Sequence, residues 1–464
     1  MEKIGTLDIE TLRKAVHAAL RNWGDPAADQ RGVLERLQLL RPAADAKTAT
    51  PTGKPQTPPI YALLEEGINE LAQRREQLAS LLRLRFIQGE TILFAAHYFH
   101  LSQDQINRRQ RQAIEQLARL LLQREGWLRG ERVQALRAQL PNMGEDARVG
   151  MEYARRALHR ALQPGSPWLI AISGLSGSGK TALAASVVHE LIPRFEYHDV
   201  LWLRGRRLVE RAGERAPLAW PQFAASLYAA LAPGADLETD FERALARLLR
   251  SEAKLLVVDG LALDRIEGEA LAHLHELANP SKILITSSYF PTGELGLHRL
   301  LTPELDIASA SDLLQRLVRD KRAATKENFE HAPELFRLTG GHPLALNVAA
   351  KMLERLPLQA VVDAFASGED PEVYALFQRV YQPIWVRLGE PARGVIRILA
   401  ARGAGGARYE ELASLSGLPT FGLHRGINEL SAHSLLHFGG SLTDRRYRID
   451  PLTATYIAAL PSGL

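Results

Sequence analysis

Apolar residues recur at helical spacing near the start of the chain. Leu12, Val16 and Leu20 fall on one face, and Val33, Leu34, Leu37 and Leu40 on another, so residues 7–41 are expected to form two amphipathic helices. From 41 to 59 the period disappears. "RPAADAKTATPTGKPQTPP" has the Pro, Thr, Ala and Gly content of a flexible, partly extended linker. Helical spacing returns and runs to about residue 140, where "LPNMGEDARVG" leads into a different pattern. From 166 onward short apolar runs alternate with helical stretches. The runs are "PWLIAISG", "DVLWL" (199–203), "AKLLVVDG" (253–260) and "SKILITSS" (281–288), with "KTALAASVVHELI" as the helix after the first. Runs this short, separated by helices, predict four strands of a buried parallel sheet. Residues 305–365 turn helical again, interrupted by "TGGHPLA". Beyond about 380 come three helices, then "SLLHF" and "RYRID" flanking "GGSLTDR" as a hairpin, the outline of a winged helix. No repeat with a period of roughly 20–50 residues is visible.

These patterns predict a multidomain α/β chain. A P-loop NTPase parallel sheet is joined to helical and winged-helix domains and to an all-α N-terminal domain. The expected boundaries are 1–43 for an N-terminal helical segment, 44–59 for the linker, 60–140 for a helix-turn-helix domain, 145–300 for the nucleotide-binding domain, 301–370 for a helical domain and 371–464 for the winged helix.

Composition changes this picture little. A chain of 464 residues is too long for one core, which agrees with several domains. The hydrophobic share of 46% and charged share of 24% are those of a soluble globular protein. No apolar run reaches the ~18 residues of a membrane span. The polar, acidic start "MEKIGTLDIETL" does not read as a signal peptide. There are no cysteines, which excludes disulfides and thiolate metal sites and fits a reducing cytoplasm, the expected location. The net charge of +4 is too small to argue for nucleic acid by itself. Most basic residues are Arg, the better fork for phosphate or carboxylate, though a GC-rich genome gives the same bias.

The candidate chemistry centres on "ISGLSGSGKTALA", residues 172–184. Gly174, Gly177 and Gly179 allow backbone N–H groups, with that of Ser178, to turn around phosphate oxygens. Lys180 supplies a charge for the outer phosphates, and the Thr181 hydroxyl can ligate Mg²⁺. The helix beginning near 180 points its positive end at the anion. The loop follows an apolar strand and opens a helix, the context its chemistry requires. ATP or ADP with Mg²⁺ is therefore the expected cofactor. Asp259, at the end of "LLVVD", is the candidate second metal carboxylate. The next residue is Gly260, where a second acid would polarise water, and Asp264 is not expected to serve as a base. Binding is thus better supported than hydrolysis, and any ATPase is expected to be slow.

Taken in order, the motifs resemble a family. "VGME" (149–152), "VLWL", "LLVVDG", "KILITSS", "GGHPLAL" (340–346) and "RYRIDPL" (446–452) are similar to successive segments of NB-ARC domains, in the STAND class of signalling ATPases. The resemblance covers about residues 145–460. It implies a closed ADP state and an open, oligomerising ATP state. It implies that Val149 and Pro343 wall the adenine, that Gly177, Gly179, Lys180, Thr181 and Ala182 hold phosphates, that Asp259 holds magnesium, and that Ser287 or Ser288 faces the γ-phosphate. Three positions depart from the family. Met151 stands where Arg is usual, the sensor strand ends Thr286-Ser287-Ser288 rather than Thr-Thr-Arg, and Asp450 replaces the winged-helix His. An ionised Asp would repel a β-phosphate, so either a weaker ADP lock or a winged helix held by other contacts is expected. His342 reads as a turn residue before Pro343. The remaining histidines show no metal-ligand spacing, and no metal but Mg²⁺ is expected.

Within 60–140, Gly89 is expected to end one helix, Thr91 to cap a short second one, and His100-Leu101-Ser102 to form the turn into a third capped by Ser102. In the third helix Ile106, Ala113, Ile114, Leu117 and Leu121 share a face opposite Asp104, Asn107, Arg108, Arg111 and Glu115. The spacing resembles a sigma-factor-like helix-turn-helix, whose third helix enters the major groove. Gln103, Asn107, Arg108 and Arg111 would then meet bases and phosphates. The alternative is a three-helix adaptor that binds protein, because Leu93 and Phe94 would leave an apolar patch at usually acidic positions. The basic stretch "RGRRLVER" (204–211) is expected to be a solvated loop.

Two functions follow as expectations. The first is a nucleotide-gated STAND switch that regulates transcription through DNA binding. The second is an immune or conflict-system scaffold that oligomerises and recruits an effector; a DNA-transposition ATPase fits less well. Family members usually continue into a repeat-built sensor, so either the stimulus is read by another polypeptide or the chain is truncated; a separate sensor or effector protein is expected, together with nucleotide-dependent homo-oligomerisation.

Overall fold

The computed structural model describes residues 8–23, 33–40, 59–142, 144, 148–165, 167–212, 217–232, 240–293, 296–318, 332–441 and 444–460. The chain divides into two compact units, Met1–Ala138 with Ile192–Glu196, and Gln139–Leu191 with Tyr197–Leu464. The expected linker 44–59 lies almost wholly outside the described residues.

In the first unit, helix Ile9–Arg21 is capped by Asp8, whose carboxylate accepts from the Thr11 N–H. Its apolar stripe of Leu12, Val16 and Leu20 is buried against Leu64 and Ile68 of helix Pro59–Leu82 and Leu117 and Leu121 of helix Gln103–Ala138. The described residues 9–21 and 33–40 share this core with residues of 60–122. The second expected N-terminal helix is corrected. Residues 33–40 form two short 3₁₀ turns, Val33–Arg36 and Gln38–Leu40. The buried carboxylate of Glu125 accepts from the Gln38 and Leu39 N–H groups at 3.0 and 3.1 Å, capturing donors that a continuing helix would use internally.

The expected caps and turn of this region are present in the backbone. Thr91 caps helix Ile92–Tyr98, His100 turns the chain at φ 54°, and Ser102 with Gln105 forms a reciprocal cap on the helix Gln103–Ala138. Ala95, Ala96 and Ile106 bury a small cluster with Leu81 and Leu84. The third helix runs for 36 residues, and its second half extends well beyond the turn region.

The second unit is an α/β core of P-loop NTPase type with added helical parts. Five parallel strands, β1 Leu169–Ser173, β2 Asp199–Arg204, β3 Lys254–Asp259, β4 Lys282–Ser287 and β5 Leu297–Leu301, lie in the order β2-β3-β4-β1-β5. Strands β1 and β4 are buried along their whole length, which fits their apolar stretches Leu169–Ile172 and Ile283–Ile285. Strand β5 was not foreseen. It is an edge strand reading Leu-His-Arg-Leu-Leu, half exposed, and lacks the apolar run that marks its neighbours. Residues 205–212 form a helix, Gly205–Ala212, in place of the expected loop.

After β5 the helices Ile307–Leu317, Ala332–Thr339, Pro343–Leu353 and Leu358–Ser367 pack with the C-terminal elements around one continuous core from Leu305 to Ile457. The last part holds helices Glu390–Arg402, Tyr409–Ser416 and Thr420–Ala432. It also holds an antiparallel three-stranded sheet of β6 Ala407–Arg408, β8 Arg445–Arg448 and β7 His437–Gly440, and helix Pro451–Ala458.

Candidate functional site

The phosphate-loop residues stand between the end of β1 and the helix Lys180–Leu191, at the carboxyl edge of the parallel sheet, where such sheets hold ligands. Gly177 and Gly179 have φ of 84° and 93°, a left-handed region that disfavours side chains. Space makes the same demand. A Cβ on Gly177 would come within 2.6 Å of Leu344 Cβ, and one on Gly179 within 2.2 Å of Met151 Cε. Met151 thus packs directly on the loop and is itself buried.

Lys180 lies over the loop and donates from Nζ to the Gly174 and Leu175 carbonyls at 2.9 and 2.7 Å. Burial pushes its ammonium down to about 8, and the nearby Asp259 carboxylate opposes that shift. The Thr181 hydroxyl donates to Asp259 Oδ1 at 2.7 Å, joining the start of the helix to the end of β3. Thr286, in β4 between them, donates from Oγ1 to the same oxygen at 2.6 Å and accepts from the Gly260 N–H at 2.8 Å. Two strand ends and the start of one helix therefore meet at one carboxylate. Sequence reading assigned Thr286 no role; its position directly after the apolar run Ile283–Ile285 was the only signal. A hydroxyl and a carboxylate in direct contact under the phosphate loop suit a hard divalent ion, because both offer oxygen donors. The residues present fit Mg²⁺ held between Thr181 and Asp259.

The other expected site residues divide. Ser178 is buried, and its Oγ pairs with Thr302 Oγ1 at 2.7 Å. Ala182 is buried in the first turn of the helix. Ser287 is 1% exposed and accepts from the Tyr289 N–H at 3.2 Å, whereas Ser288 is exposed. Val149 packs against the helical core, and Pro343 is the first residue of helix Pro343–Leu353. Asp264 is engaged away from the loop, accepting from Arg387.

The "GGHPLA" turn reaches the loop through His342. Its Nε2 stands 3.0 Å from the Ser176 carbonyl, and its Nδ1 accepts from the Ala345 N–H at 3.4 Å as the helix cap. A ring that donates at one nitrogen and accepts at the other is neutral. Burial pushes it down to about 4, so it stays neutral at physiological pH.

Arg299 of the unforeseen β5 is the further residue at this site. Its Nε donates to Ser173 Oγ, one residue before Gly174, at 2.8 Å. Its Nη2 donates to the Ser431 carbonyl and Ser434 Oγ at 3.2 and 3.1 Å, and its guanidinium lies 4.7 Å from the Phe290 ring. The Phe290 N–H donates to the Ala432 carbonyl at 2.8 Å, and Tyr289 packs edge-on to His433. One guanidinium thus links the root of the phosphate loop to the end of helix Thr420–Ala432.

In the first unit, Gln103, Arg108 and Arg111 are exposed and Asn107 is half-buried, all on the third helix away from its core stripe. Leu93, Phe94 and Tyr98 are exposed on the preceding helix, and the Phe94 and Tyr98 rings stack.

Comparison with known proteins gives fold-level likeness only. No family model matches the chain, and no curated protein matches it. Among solved structures, the chain is similar to a signal transduction ATPase with numerous domains (STAND) protein with a tetratricopeptide repeat sensor from Pyrococcus horikoshii. That match has 16% identity and a TM-score of 0.33, and covers 70% of this chain and 44% of that one. The chain therefore spans less than half of that protein's length. It is also similar to the ORC2 protein of Aeropyrum pernix in ADPNP–ADP complexes, with 15% identity and a TM-score of 0.37, covering 69% of this chain and 96% of that one. The Aeropyrum pernix ORC1 protein in complex with DNA matches with 18% identity and a TM-score of 0.34, covering 68% of this chain and 93% of that one. Among the described residues no helix is long and apolar enough to cross a membrane.

Proposed function

We propose that this protein is a nucleotide-gated switch of the STAND type, with an NB-ARC-like core, that holds ATP or ADP with Mg²⁺ and turns it over slowly. The observation that carries this reading is the chain of contacts through the loop. Thr181, Thr286 and Asp259 meet below it, His342 touches it from the "GGHPLA" turn, and Arg299 ties its root to Ser431 and Ser434 of the winged-helix-like part. Bound Mg²⁺ would supply positive charge to the phosphates. The chain's own groups do the rest. Loop N–H groups and Lys180 bind phosphate oxygens, Thr181 and Asp259 orient the ion, and Val149 and Pro343 flank the base.

Binding would draw Lys180 away from the Gly174 and Leu175 carbonyls. That change lies one residue from Ser173 and hence one contact from Arg299. A differential contact of this kind is what a ligand needs to bias one packing over another. No acid follows Asp259, since Gly260 stands there, and Asp264 is held by Arg387. Both support holding over rapid hydrolysis.

We read the N-terminal unit as the output module, binding DNA through Gln103, Asn107, Arg108 and Arg111. The protein-adaptor reading is favoured by the exposed Leu93, Phe94 and Tyr98. A separate sensor or effector protein, homo-oligomerisation on ATP binding and a cytoplasmic location belong to the same proposal. The test of the core claim is nucleotide binding by the full chain and its Lys180→Ala variant. Loss of binding with retained helical content is expected; undiminished ADP binding by the variant would overturn the site.

A further inference from the structure

A second cluster of chemistry lies outside the phosphate site. Glu304 follows β5, His437 opens β7, and Asp450 precedes helix Pro451–Ala458. One ligand-capable atom from each lies within 4.8 Å of the other two. His437 Nε2 stands 2.7 Å from Asp450 Oδ1 and 3.5 Å from Glu304 Oε1.

Three observations set this cluster apart from an ordinary surface ion pair. First, Asp450 is 5% exposed, and its Oδ2 has no hydrogen-bond partner. His437 Nε2 also lacks an aligned hydrogen bond despite its short approach. Buried polar atoms left in this way are costly. Second, Asp450 stands at a helix N-cap yet makes no capping bond. Asp8, Asp240, Asp306 and Asp370 hold the same position on other helices, and each accepts from a helix N–H. The Asp450 carboxylate has given up that role and faces the cluster. Third, two carboxylates converge here. His342, the other titratable ring beside Asp450, is occupied by Ser176 and Ala345. Two carboxylates this close repel unless a cation lies between them; the His437 imidazole, whose charged form both carboxylates favour, fills that place without a metal and would yield its proton to a bound ion.

The spacing fits such a cation. Bonds of about 2.0–2.2 Å to imidazole nitrogen and carboxylate oxygen place ligand atoms of a tetrahedral site about 3.3–3.6 Å apart. The His437–Glu304 separation of 3.5 Å lies within that range, and the His437–Asp450 separation of 2.7 Å would have to open by a side-chain rotation to meet it. One nitrogen and two oxygens suit Zn²⁺ or Mn²⁺ better than Mg²⁺, and two carboxylates balance a divalent charge. Three protein ligands leave one position for water or an incoming group.

We propose that Glu304, His437 and Asp450 bind one divalent first-row transition-metal ion. The ion clamps the segment leaving the five-stranded sheet to the C-terminal three-stranded sheet. It shares no residue with the phosphate loop or with Asp259. It sits beside the turn that touches the loop, since a Cβ on Gly340 would lie 3.8 Å from Asp450 Cβ.

The test uses the full chain, stripped with chelator, nucleotide-free and held in millimolar Mg²⁺ to saturate any hard-ion site. Zn²⁺ is titrated by calorimetry, and Co²⁺ is followed by its visible absorption. One bound equivalent is expected, with a Co²⁺ spectrum showing nitrogen and oxygen ligation. His437→Ala should abolish both signals. Glu304→Gln, a nearly isosteric change, should weaken them and keeps the test decisive if the first variant fails to fold. Thr181→Ala should leave them unchanged, which separates this site from the Mg²⁺ site. An ion pair only, seen as no stoichiometric Zn²⁺ on the wild-type chain, would overturn the proposal. Equal binding by wild type and Glu304→Gln would also overturn it.

Discussion

The phosphate loop and the exposed face of the third N-terminal helix both carry motif-like residues, yet the fold treats them differently. Around the loop nearly every polar group is engaged. Lys180 spans two carbonyls, Asp259 accepts from two hydroxyls, and Ser178 pairs with Thr302. On the helix, Gln103, Arg108 and Arg111 are exposed, and Arg108 and Arg111 project from a long helix whose other face is core. A site built from mutually dependent, buried groups specifies one kind of ligand. An exposed row of forks specifies only a charge and a shape, which either DNA or an acidic protein surface can supply.

That contrast can be broken most severely at Lys180. Lys180→Ala should weaken ATP and ADP binding by about a hundredfold or more, because charge-assisted phosphate contacts are lost in a partly dry site. Calorimetry measures it, and circular dichroism should show an unchanged fold. Asp259→Asn should cost about tenfold, only in the presence of Mg²⁺. Equal loss in chelator would mean that Asp259 serves the loop's structure and not the ion.

A pH titration sharpens the same point. Lys180 sits at about 8 before ligand arrives, and phosphates favour its charged form. Binding above pH 8 must therefore take up a proton, so affinity should fall towards tenfold per pH unit there and stay flat between pH 6.5 and 7.5. Arg299→Ala should change the ratio of ADP to ATP affinity by about fivefold, the low end of ordinary coupling energies, by severing Ser173 from Ser431 and Ser434. Competition with a fluorescent nucleotide reads this ratio. The smallest effect is expected at the exposed helix. Arg108→Ala with Arg111→Ala should lower the salt dependence of DNA binding by about two in slope, with only a several-fold loss of affinity. No DNA binding by the wild-type chain at low salt would leave the adaptor reading.

What the sequence made legible follows the same division. Strands β1, β3 and β4 are central and buried, so their apolar runs were plain, and the loop between β1 and its helix is contiguous in sequence. Arg299 escaped notice because β5 is an edge strand whose His298 and Arg299 break the apolar signal. The turns at 33–40 were misread as a helix because apolar spacing cannot reveal that Glu125, far along the chain, takes their backbone donors. The basic stretch at 204–211 was misread as a loop, although Leu208, buried on one side of helix Gly205–Ala212, gives it an inner face. Glu304, His437 and Asp450 come from three separate elements, and no spacing rule joins them before the fold does.

The most direct test of the switch is the mass of the full chain in solution by light scattering, with saturating ADP and then with a non-hydrolysable ATP analogue, each with Mg²⁺. A monomer with ADP and a larger assembly with the analogue is the predicted result. The same mass in both states, together with steady rapid ATP turnover, would contradict the switch and argue for a motor or a housekeeping enzyme.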